Sequence, residues 1–102
     1  MGGNKIKRDT ITEDLLLHYL KVTESALKEI TEILPNRTHL KAIADDYLNM
    51  AKTYFEDAKY FMKEGDYVNA FGAVYYAHAW LDAGARLGLW DVKHNSKLFT
   101  VD

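Results

Sequence analysis

The chain has no cysteine, a single proline and only six glycines along 102 residues. Without thiols there are no disulfides, no thiol nucleophile and no cysteine-based zinc site, a usage that suits a reducing cytoplasm. The dispersed glycines leave no phosphate-cradling loop. Charge of one sign is lacking as well: 13 Lys and Arg stand against 15 Asp and Glu, a net charge of −2. That balance draws the molecule neither to nucleic acid nor to anionic lipid. The longest apolar run, Ala70 to Leu81, is broken by His78 and is too short for a bilayer. The opening MGGNKIKRDT has no apolar stretch behind its basic residues, so it does not read as a signal peptide. A myristoylation signal would need Ser or Thr where Ile6 stands. The expectation is a cytoplasmic protein with no membrane partner, and with no cofactor.

What remains is 48% hydrophobic and 27% charged, the composition of an ordinary globular domain. The length suffices for one core. Residues 1–9 read as a flexible N-terminal arm and residues 10–102 as a single helical-bundle domain.

Apolar residues recur with the period of a helix face in three segments. Thr10 with Glu13 makes a capping box, and Ile11, Leu15, Tyr19, Val22, Ala26, Ile30 and Ile33 follow at helical spacing. A first helix is expected from Ile11 to about Leu34, ended by Pro35 and Asn36. Thr38 is the next N-cap, and Leu40, Ala44, Tyr47, Ala51, Tyr54, Ala58 and Phe61 carry a second helix to Gly65. Asp66 caps a third, from Tyr67 to about Leu87, with Gly88 as its stop. Turns this short make neighbours antiparallel, which gives an all-α, three-helix up-down-up bundle with a short C-terminal tail. Leu89, Trp90, Leu98 and Phe99 are too apolar to dangle, so the tail should fold back on the bundle.

The second helix alternates large and small residues, and the third carries Ala70, Ala73, Ala77, Gly84 and Gly88. Large side chains of one helix are expected to enter shallow positions of the other. So many Tyr residues could instead form a stacking platform, but their seam spacing favours packing. The third helix is apolar almost all round, more than one partner helix requires. The surplus must meet helix 1 as well as helix 2, or meet another chain, in a homodimer through helices 1 and 3 or with an unidentified protein partner.

Catalytic spacing is missing. No Glu stands three residues before any of the four His, and Asp14 with His18 lacks a third metal ligand. Ser25 and Ser96 have no base at recognisable spacing. Lys5, Lys7 and Arg8, or Arg37 and Lys41, are small basic clusters of the kind that usually form plain surface. No catalytic or metal-binding residue is therefore assigned. Within the third helix, Tyr75, His78, Asp82 and Arg86 are the candidate ligand-binding residues, a polar stripe suited to a small anion. The competing reading makes Asp82 a tie to His78 or Arg86, because buried charges are usually paired.

The run "YFMKEGDYVNAFGAVYYAHAWLDAGARLGLWDV", with its "AHAWLDAGARLGL" core and the closing "LFTVD", resembles the archaeal domain of unknown function 357 family. That family favours Gly where Ala79 stands and Phe where Trp90 stands. The resemblance implies a small helical bundle from an archaeal cytoplasm, and no activity. A weaker likeness, the "YYA" step, is to helical ribonuclease domains of toxin systems, which pair Arg and His more closely than Arg86 and His94. The resulting expectation is a non-catalytic, self-associating interaction module. The alternative is a small anionic-ligand-binding or weakly catalytic domain that uses the stripe.

Overall fold

A threonine or aspartate side chain starts each helix. Thr12 accepts a hydrogen bond from the Leu15 amide at 3.1 Å, Thr38 from Lys41 at 3.1 Å and Asp66 from Asn69 at 3.2 Å. The resulting elements are α1 (Glu13–Glu29), β1 (Thr31–Glu32), α2 (His39–Lys63), α3 (Tyr67–Arg86) and β2 (Trp90–Asp91). This computed structural model describes residues 8–32, 37–92, 95 and 97–99. Lys5, Lys7, Pro35, Asn36, His94 and Ser96 lie outside the described residues, as does most of the expected N-terminal arm.

Two helix ends share one device. At the end of α2 the Asp66 amide bonds to the Phe61 carbonyl and the Gly65 amide to Met62. At the end of α3 the Leu89 amide bonds to Gly84 and the Gly88 amide to Ala85. Both are Schellman closures, and they need a left-handed residue, which Gly65 (φ 78°) and Gly88 (φ 75°) supply. The first closure reverses the chain, so α3 runs antiparallel to α2.

The α1 expectation requires correction at both ends and in its phase. Its cap is Thr12 rather than Thr10, which places Glu13 and Asp14 in the first turn, beside the positive end of the helix dipole. It stops at Glu29, because Ile30 is extended and Thr31–Glu32 pairs antiparallel with Trp90–Asp91. That pairing gives the segment backbone partners from the far end of the chain in place of helical ones. The buried face is Leu16, Leu20, Thr23 and Ala26, whereas Leu15 is exposed. Three consecutive leucines, 15 to 17, allow three helical phases, and tertiary packing chose among them.

α3 lies between the other two helices, and α1 and α2 touch each other little. α3 buries the small residues Ala70, Ala77 and Gly84, and α2 buries Ala44, Ala51 and Ala58, each set spaced by seven residues. Small residues therefore occur on both sides of the seam, which lets the backbones approach closely. Phe55, Tyr54 and Phe61 of α2 pack in the cluster that holds Ala70 and Ala77 of α3. Tyr54 and Tyr47 sit at the seam's margin, edge-on to Tyr76 and Trp80, with ring centroids 4.5 and 4.9 Å apart.

The tail folds back. Leu89, Trp90, Val92 and Phe99 are buried in one cluster with Ala26, Ala44, Ala51 and Leu81. The Trp90 indole donates to the Leu81 carbonyl at 3.2 Å. A Cβ built on Gly84 would overlap the Trp90 ring, so only glycine admits the indole there.

Candidate functional site

The polar stripe rests on α3 because an otherwise apolar helix carries His78 and Asp82 one turn apart. Both are partly buried, at 18% and 24% side-chain exposure. His78 Nδ1 shares a 3.0 Å hydrogen bond with the Thr23 hydroxyl of α1. Its Nε2 contacts the Leu98 carbonyl at 2.5 Å, and since a carbonyl only accepts, Nε2 carries the hydrogen. The hydroxyl can give or take, so it suits either state of Nδ1. Asp82 Oδ1 lies 3.8 Å from the same Nε2, within ion-pair range for a protonated ring but beyond hydrogen-bond reach. The Phe99 ring lies 6.2 Å from the imidazole. One side chain thus fastens α1 and the tail to α3.

Beside it, a cavity of about 240 Å³ opens between α1 and α3, lined among others by Tyr19, Val22, Thr23, Tyr75, His78 and Asp82. Tyr19 and Tyr75 stand with ring centroids 5.0 Å apart. The hydrogen bond to Tyr19, then burial, raises the Tyr75 phenol above its ordinary 10.0. Three of the four expected site residues therefore meet at one cavity. Arg86 does not line it; it is exposed in the last turn of α3.

Sequence reasoning missed Tyr19 as a cavity residue, Thr23 and the Leu98 carbonyl. Tyr19 and Thr23 are four residues apart on α1, so a shared face was readable, but Thr23 was not counted with the apolar phase. A backbone carbonyl in the tail leaves no signal in residue type. Among the described residues no three His, Asp or Glu gather where a metal could sit.

The chemistry of this arrangement is mostly spoken for. Both imidazole nitrogens are engaged, so His78 cannot act as a general base without releasing α1 or the tail. The cavity lining includes the Asp82 carboxylate but no Lys or Arg, a poor match for an anion.

The family described as protein of unknown function (DUF357) matches residues 18–90. The chain belongs to the DUF357 family. The match covers most of α1, all of α2 and α3, and Trp90, so Thr23, His78, Asp82 and Gly84 all fall within the DUF357 region. Leu98, the second anchor of His78, falls beyond it. No curated protein and no solved structure matches the chain. Among the described residues no helix is long and apolar enough to cross a membrane.

Proposed function

We propose that residues 10–102 work as one unit, a non-catalytic interaction module that self-associates as a homodimer in an archaeal cytoplasm. The observation that carries this reading is the back of α3, which no described residue covers. Val68, Tyr75, Tyr76 and Leu87 remain 74%, 48%, 47% and 61% exposed on one helix. Between Asp66 and Arg86 the only charged residue is Asp82, which is half-buried. A solvent-facing helix side normally carries charge, and an apolar one suits a protein partner. Engagement of both His78 nitrogens supports a structural rather than a catalytic role for the stripe.

Sedimentation equilibrium at micromolar concentration tests the reading, and the expected mass is twice the 11.7 kDa chain mass. A monomer throughout would overturn it. A second reading, a small-ligand domain, is favoured by the meeting of Tyr75, His78 and Asp82 at one cavity. Asp82→Asn separates the two. As a tie, Asp82 contributes stability through its charge beside His78, and the substitution should cost up to about 1 kcal/mol in urea unfolding. A mutant of unchanged stability that loses a small molecule retained by the parent in native mass spectrometry would favour the ligand reading.

A further inference from the structure

If two copies associate through α3, a proposal that rests on the self-association reading above, the residues on its back decide how they meet. Gly72 stands mid-helix, where glycine costs about 1 kcal/mol relative to alanine. A Cβ there would meet nothing within 4 Å, so among the described residues no contact requires the glycine. The contrast with Gly84 is direct, since that glycine is filled by Trp90. Beside Gly72 a hollow of about 350 Å³ opens between α2 and α3, bordered by Tyr54, Phe61 and Tyr76. Exposed Ala79 follows seven residues after Gly72, with exposed Tyr75 and Tyr76 between them. This surface has hollows and knobs of its own.

Charge sets the direction. Glu64 and Asp66 flank the start of α3 and Arg86 closes it. Parallel pairing would stack acid on acid at one end and arginine on arginine at the other. Antiparallel pairing opposes unlike charges at both ends and also opposes the helix dipoles. We infer that the partner is a second copy of this chain, with the two α3 helices packed back to back and antiparallel about a two-fold axis passing between Tyr75 and Tyr76. In that register Gly72 faces Ala79 of the second copy, and Arg86 faces Gly65, between Glu64 and Asp66. The contact is isologous and closes on itself, as two-fold symmetry requires.

Because the chain has no cysteine, single introduced thiols report the register cleanly. Gly72→Cys has open space around it, and Ala79 is exposed, so neither variant displaces a neighbour. The two variants are purified separately, mixed, allowed to exchange subunits and oxidised mildly. Like residues would lie roughly 10 Å apart along the antiparallel pair, beyond disulfide reach, so the mixture should give on the order of tenfold more cross-linked dimer than either variant alone. Equal cross-linking of each variant with itself would mean parallel pairing and overturn the geometry. No cross-link from a mixture that sediments as a dimer would place the interface elsewhere, overturning the geometry while self-association stands. A monomer in sedimentation would remove both.

Discussion

The two sides of α3 use the same residue types to opposite ends. One side presents Ala70, Ala77 and Gly84, all fully buried against α2 or the tail. The other presents Gly72 and Ala79, both exposed, with two half-exposed tyrosines between them. Small residues stabilise a helix contact only when another backbone or ring moves into the space they leave. On the first side α2 and Trp90 fill that space. On the second side no described residue does, and among those residues the cost of a mid-helix glycine has no internal return.

Four substitutions would break or sharpen this contrast. Trp90→Ala removes the indole that lies against Gly84 and donates to Leu81, leaving the filled side as open as the back. The expected loss is about 3–5 kcal/mol in urea unfolding, and a loss below about 1 kcal/mol would make the tail peripheral. Ala77→Leu forces three carbons into a fully buried position of the seam. A loss of about 1–3 kcal/mol is expected from strained rotamers and separated helices, visible as a lower urea midpoint with an unchanged slope. Thr23→Val keeps the shape of the side chain but deprives His78 Nδ1 of its partner. That should cost about 1–2 kcal/mol, and amide hydrogen exchange should quicken in α1 more than in α2. Ala79→Leu makes on the back the same change that Ala77→Leu makes on the seam. Measured at concentrations where the chain is monomeric, its stability should stay within about 0.5 kcal/mol of the parent. A loss as large as that of Ala77→Leu would mean that the two sides do not differ.

Legibility in the sequence followed the range of the signals. α2 and α3 were readable almost to the residue, because Thr38, Asp66, Gly65 and Gly88 act on amides and carbonyls within one turn of themselves. α1 was legible as a helix but not in its phase or its end. The Leu15–Leu17 run is periodic in every register, and the stop at Glu29 depends on strand pairing with Trp90–Asp91. The apolar surplus of α3 was visible in composition alone, and it was met by both α1 and α2 with a side left over. Of the candidate site, His78 and Asp82 stood out as polar groups in an apolar helix, and they share one cavity with Tyr75. Arg86, though it falls four residues further on the same spacing, does not reach that cavity.

By itself, then, the sequence determined an all-α chain with caps, reversals and a tail that could not stay in water. These follow from forces that act within a few residues or depend only on how much apolar surface a segment carries. The tertiary structure decided which face of α1 turns inward, where that helix gives way to a strand, and what His78 holds. Those outcomes rest on partners 55 residues away at Thr23, 20 away at Leu98 and about 60 away across the strand pair. No local pattern carries such information, because a hydroxyl, a carbonyl and a two-residue strand find their partners only after the chain has closed those loops.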